Sequence, residues 1–271
     1  MTSTRDARRR EILQELGLTP VWRTRKNNSL ESSIQATVPA FAPASAEAGA
    51  SGEPLCTVSV TTVPVTVPFD AAEDRRLKIL RMGWDELEAS ISGCIACPLC
   101  QSRTRTVPGV GDRNADWLWI GEGPGAQEDA TGEPFVGQAG KLLDNMLAAI
   151  DMKRGHNVFI ANIVKCRPPG NREPTTYEAQ QCEPYLARQI ELIRPKLIIA
   201  LGKVAAQNLL GTAASIGSLR GRLHRHSGIP VIVTYHPAYL LRTLTAKAKA
   251  WEDLCFARST MQSLAPLQFA G

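Results

Sequence analysis

The feature that most constrains this chain is a recurring alternation. A short apolar run is followed by a glycine or a turn, then by a stretch with helical spacing. Trp117–Ile120, Val158–Val164, Lys196–Leu201 and Ile229–Val233 are the apolar runs, each of a length suited to a buried strand. Helical spacing follows them in Leu142, Leu143, Met146, Leu147 and Ile150, in Tyr177–Ile193, in Val204–Leu210, and in a last helix with Trp251, Leu254 and Met261. Strands alternating with helices predict an α/β fold, a three-layer sandwich whose central, mostly parallel sheet carries helices on both faces.

In such a sheet ligands bind beyond the carboxyl ends of the strands. The loop after the first run, Gly121–Gly137, reads GEGPGAQEDATGEPFVG. Gly121, Gly123 and Gly125 let backbone come close to a ligand. A plain Gly/Pro turn would explain the glycines. It would not explain Glu122, Glu128, Asp129 and Phe135 in the same loop.

Composition sets the outer bounds. With 271 residues, 44% hydrophobic, the chain can bury one sizeable core, and no apolar run reaches transmembrane length. The net charge of +5 permits nucleic-acid binding without requiring it. Residues 1–24 hold a short amphipathic helix with Ile12, Leu13 and Leu16 and then Trp22, which reads as a docking element for a protein partner. Residues 25–72, rich in Pro, Ala, Ser, Thr and Val, read as a flexible linker. Residues 73–271 read as the main folded domain, entered through one helix to Ser92 that carries Leu77, Leu80, Trp84, Leu87 and Ile91 on a single face.

The N-terminus lacks the apolar core of a secretory signal, which places the seven cysteines in a reducing compartment, where clustered thiols are metal ligands more often than disulfides. Cys94, Cys97 and Cys100 recur at two-residue intervals, Cys166 follows the second strand, and Cys182 lies in the next helix. A C-x-x-C pair with two distant cysteines suits zinc or an iron–sulfur cluster. Cys56 and Cys255 read as small apolar residues. Between Cys166 and the helix, Pro168 and Pro169 forbid helix and present Arg167 and Arg172 on a loop. The last strand ends at Tyr235-His236-Pro237.

GEGPG with Glu128-Asp129 and PFVG, then NIVKCRPP, then HPAYLLR, with the C-x-x-C turn ahead of them, closely resemble the family 4 uracil-DNA glycosylases, iron–sulfur enzymes of DNA repair. The resemblance runs from about Gly93 to the last helix. It implies the uracil-DNA glycosylase-like form of the α/β sandwich and a monomeric enzyme that flips uracil out of single- or double-stranded DNA and hydrolyses its N-glycosidic bond. His236 then stabilises the departing uracil, and Asn162 reads the base edge, accepting from N3–H and donating to O4. Phe135 stacks on the base, while Glu122, Gly123 and Pro124 line it and Glu122 contacts the attacking water. Cys94, Cys97, Cys166 and Cys182 carry over as ligands of a [4Fe–4S] cluster, and Cys100 has no counterpart. The cluster would act as a structural staple that brings Arg103, Arg105, Arg167 and Arg172 near phosphates, with Arg242 also on DNA. Glu128 and Asp129 fall to loop structure.

Two rivals remain. Relatives that trap the abasic sugar covalently do so through an Arg/Lys-rich insertion that is not found between Cys166 and Cys182, and a non-enzymatic iron–sulfur protein binding nucleic acid would have no use for Asn162, Phe135 and His236 together. The resemblance also implies a cytoplasmic bacterial protein, on the nucleoid when bound to DNA, with no membrane association.

Overall fold

A computed structural model describes residues 69–264. The docking helix expected within 1–24 and nearly all of the linker expected over 25–72 lie outside the described residues. The helices are α1 (Phe69–Ile79), α2 (Trp84–Ser92), α3 (Leu99–Ser102), α4 (Ala126–Thr131), α5 (Gln138–Ala148), α6 (Thr176–Ile193), α7 (Gly202–Leu210), α8 (Ile216–Leu219), α9 (Pro237–Arg242) and α10 (Lys247–Leu264). The strands are β1 (Val110–Gly111), β2 (Trp117–Gly121), β3 (Val158–Asn162), β4 (Leu197–Leu201), β5 (Leu223–His226) and β6 (Ile229–Thr234).

They form one sheet in the order β1-β3-β2-β4-β6-β5. β3, β2, β4 and β6 run parallel, and the two edges are antiparallel. Every residue of β2, β3 and β4 is buried, because helices cover both faces and leave no solvated side. The two-residue period of a strand divides these residues between two cores. Leu118, Ile120, Phe159 and Ala161 pack with Leu87, Tyr185 and Leu209. Trp117, Trp119, Val158 and Ile160 pack with Leu143, Leu147 and Leu254.

Four details depart from the expectations. The single helix expected up to Ser92 is two helices, since Gly83 caps α2 and the Glu86 carboxylate accepts from the Gly83 amide at 3.2 Å. The break changes the buried face: Ile79, Leu87 and Ile91 are inside, and Leu77 is 43% exposed. The edge strand β5, LHRH, has no apolar alternation to announce it. It is held to β6 by a tight turn in which both Ser227 and Gly228 have positive φ, the geometry that matches strand twist in a hairpin. β1 is too short to leave a pattern, and Cys255, read from the sequence as a small apolar residue, is exposed on α10. No helix among the described residues is long and apolar enough to cross a membrane.

Candidate active site

Because four adjacent strands are parallel, their carboxyl ends share one edge of the sheet. A cavity of about 630 Å³ opens there. β2 supplies Glu122 and Gly123, β3 supplies Asn162, β4 leads into Gly202, and β6 leads into Tyr235 and His236, all on the cavity wall with Pro124 and Phe135. The sheet register sets Gly121 directly beside Asn162.

Asn162 is 1% exposed, and its Oδ1 is a buried acceptor with no hydrogen-bond partner. An unpaired buried acceptor is costly, so native structures rarely keep one without a use for it. A Cβ on Gly121 would stand 2.5 Å from that Oδ1 and 2.5 Å from Phe135 Cζ. Glycine is therefore required to leave the slot between amide and ring.

Phe135 is buried and sits at φ 55°, a left-handed conformation unusual for an aromatic residue. The backbone amides of Val136 and Gly137 both donate to Glu128 Oε1 at 3.0 Å, and the other Glu128 oxygen caps α4 by accepting from Gly125 N. Asp129 accepts from the amides of Thr104 and Arg105. Both carboxylates are spent on loop backbone.

The Phe135 and His236 rings lie 5.5 Å apart, tilted by 31°. His236 caps α9, with Nδ1 accepting from Ala238 N at 3.1 Å. Burial, reinforced by Arg242, lowers its pKa to about 4, and Glu128 opposes this weakly. The ring is therefore neutral at pH 7. With Nδ1 an acceptor, the proton sits on Nε2. Gly202, at φ 91°, makes room: a Cβ there would come within 2.8 Å of His236 Cβ.

Glu122 is the third polar group. Burial and the neighbouring Glu173 raise its pKa to about 7, and Lys203 pulls the other way. Lys203 is itself paired with Glu173 at 3.2 Å. Neither Glu173 nor Lys203 stood out in the sequence, where exposed charges on loops and helix starts carry no periodic signal.

The arginines divide. Arg242 is exposed at the cavity rim, and Arg167 donates to Asn171 Oδ1. Arg172 lines the cavity, but both its terminal nitrogens bind Glu178, a buried carboxylate whose pKa this pair holds down to about 2. With one terminal nitrogen also donating to Glu173 O, its Nε–H and one Nη2–H are left for a phosphate. Arg103, expected near phosphates, turns inward: it donates to Cys166 Sγ at 3.2 Å and to the carbonyls of Cys94 and Ser92.

Cys94, Cys97, Cys166 and Cys182 line one small void of about 10 Å³, and Cys100 does not. All are free thiols, and no group of three or more His, Cys, Asp or Glu among the described residues is drawn together tightly enough to hold an ion. The surroundings nevertheless fit a metal. Lys165 is fully buried, and its ammonium touches only neutral oxygens, Asn162 O at 2.9 Å and Gln189 Oε1 at 2.7 Å. Burial lowers the Lys165 pKa to about 8, and a nearby anion would favour its charged form. The groups beside it are Cys182 and Cys166. Burial pushes the Cys182 thiol up to about 12, so it becomes that anion only when a metal holds its charge.

Comparison with known proteins places the chain in a superfamily. The family described as the uracil DNA glycosylase superfamily matches residues 108–255. A type-4 uracil-DNA glycosylase of Thermotoga maritima is 46% identical over 173 residues, covering 62% of this chain and 90% of the relative. Type-4 enzymes of Archaeoglobus fulgidus and Pyrobaculum aerophilum are 44% and 41% identical over 165 and 181 residues, covering 58% and 64% of this chain and 82% and 92% of theirs.

Proposed function

We propose, for a chain that belongs to the uracil DNA glycosylase superfamily and within it to the type-4 uracil-DNA glycosylases, that the cavity takes a uracil flipped out of DNA and that the protein hydrolyses its N-glycosidic bond. The product is an abasic site, the opening step of base excision repair.

The observation that carries the reading is the orphaned Asn162 Oδ1, held beside a buried aromatic ring in a slot that one glycine keeps open. Uracil N3–H supplies the missing donor, and the Asn162 amino group meets O4. Cytosine reverses donor and acceptor at these two positions and is refused. Phe135 stacks on the base. As the bond from C1′ to N1 breaks, charge moves onto the uracil oxygens, and the neutral His236 offers its Nε2 proton to O2. Glu122, ionised, holds the water that adds to C1′. Gly123 and Pro124 close the wall behind it.

Cys94, Cys97, Cys166 and Cys182 would hold a [4Fe–4S] cluster, whose contribution to a hydrolysis that moves no electrons is structural. Arg167 and Arg242, with the remaining donors of Arg172, meet the DNA backbone. We place the enzyme in a bacterial cytoplasm, acting as a monomer on single- or double-stranded DNA, with residues 1–24 as the candidate contact for a protein partner.

The test is incubation with an oligonucleotide containing one uracil, then alkali. A cleaved strand supports the reading. A protein–DNA band that survives denaturation would favour covalent trapping, and binding without either product would favour a non-enzymatic role.

A further inference from the structure

Phe135 adopts its left-handed backbone where no glycine relieves it, and one residue outside the cavity grips that strained position. Arg154 donates from one terminal nitrogen to Pro134 O at 2.9 Å and from the other to Phe135 O at 2.8 Å. The third nitrogen of the guanidinium, Nε, donates to Asp144 Oδ1 at 3.0 Å on α5, and the terminal nitrogen that meets Phe135 O lies 2.9 Å from the same oxygen. Arg154 sits at the tip of a tight turn in which Lys153 bridges His156, and Gly155 supplies the positive φ. The planar fork of the side chain suits two adjacent carbonyls on one side and a carboxylate on the other. Glu128 holds the next two amides. The strained residue is thus clamped on its carbonyl side by Arg154 and on the following amide side by Glu128. α5 closes the third side, where Gly140 leaves room for nothing larger than hydrogen against Phe135 O.

We propose that Arg154, anchored by Asp144, is a positioning residue for uracil excision: it holds Phe135 in the left-handed conformation that turns its ring toward Asn162 and His236 and makes it the floor of the base slot. The inference rests on the proposed function only for the identity of the base. A left-handed backbone at an aromatic residue persists only where its surroundings over-determine it. Without the clamp, Phe135 relaxes and the ring leaves the slot.

The test uses the full-length protein and the variants Arg154→Met, Asp144→Asn and Phe135→Ala, with Arg154→Met/Phe135→Ala as the combined variant. The readouts are kcat and KM on uracil-containing single-stranded DNA, inhibition by free uracil, and the thermal midpoint. Arg154→Met should weaken free-uracil inhibition and lower kcat/KM by about tenfold, within the range lost when a base loses its aromatic stacking partner. In the Phe135→Ala background the same substitution should cost almost nothing further, since its effect passes through the ring. Equal losses in both backgrounds, or unchanged uracil inhibition, would overturn the proposal. Should Arg154→Met fail to fold, Asp144→Asn decides: it loosens the guanidinium but leaves both carbonyls paired, so weaker uracil inhibition at an unchanged thermal midpoint supports the clamp, and unchanged inhibition refutes it. A wild-type protein that neither excises nor binds uracil would instead sink the proposed function.

Discussion

His236 has a single proton to offer, because burial keeps the ring neutral and Ala238 occupies its other nitrogen. Its worth should appear in bond breaking and not in binding. Single-turnover cleavage by His236→Ala should fall by roughly 10²–10³-fold, the loss expected for one preorganised donor to a developing anion, with DNA affinity little changed. A substrate carrying 5-fluorouracil, whose anion is more stable, should recover part of the deficit. A mutant that binds weakly but cleaves bound DNA at the normal rate would make His236 a docking residue. Glu122 makes a separate prediction through pH. Its carboxylate forms above a pKa of about 7, while His236 loses its neutral form only below about 4. Activity should therefore rise through neutrality to a plateau, and Glu122→Gln should abolish that rise whatever activity remains. A rise that persists in Glu122→Gln would assign it elsewhere. Of these residues, His236 and Glu122 stand just past an apolar run and Asn162 ends one, so their places at strand carboxyl ends could be read from the pattern, but the roles proposed for them came from the family resemblance. Arg154 was not legible, since a lone arginine on a turn shows nothing of the two carbonyls it will meet.

The elements that build the site differ in how plainly the sequence announced them. β2, β3, β4 and β6 were legible because strands covered on both faces are written as unbroken apolar runs. β5 was not, because an edge strand facing solvent can be as polar as a loop, and the α1–α2 break was hidden by apolar spacing that continues across Gly83. Gly140 shows a further limit: inside a helical pattern it looks like a weak point, yet a Cβ there would stand 1.7 Å from Phe135 O. Gly140→Ala should therefore destabilise the protein despite the better helix propensity of alanine, by about 1–3 kcal/mol as an overpacked core does. A thermal midpoint equal to wild type would show that α5 can move away. Cys94 and Cys97, in the turn between α2 and α3, share one small void with Cys182 on α6 and Cys166 in the chain after β3. The purified protein should be brown and contain iron, and replacing Cys94, Cys97, Cys166 or Cys182 by Ala should remove both, whereas Cys100→Ala should not, because Cys100 does not line the shared void. Stoichiometric zinc without iron would refute the cluster while leaving the four-thiol site.

For the whole molecule, the question is how much of the chain the reaction needs. The cavity and all four cysteines of the shared void fall between Cys94 and Arg242. The three type-4 relatives are matched over 82–92% of their own lengths by only 58–64% of this chain, so proteins of this family manage without an extension of that size. Removal of residues 1–68 should therefore leave uracil excision from single-stranded DNA within a few-fold of the full chain, with the same iron content. The cut falls just before α1, whose packing against α6 belongs to the catalytic domain and must be kept. What the shortened protein should lose is any affinity that the extension adds, through Arg8, Arg9 and Arg10 toward phosphates or through Leu13, Leu16 and Trp22 toward a protein. The two are separable by salt: a phosphate contribution fades steeply as ionic strength rises, whereas apolar docking does not. Measured as kcat/KM against salt, the full-length and shortened proteins should converge at high salt if the arginines matter and stay parallel if they do not. An inactive or iron-free truncation would show instead that the extension is part of the catalytic domain's own packing.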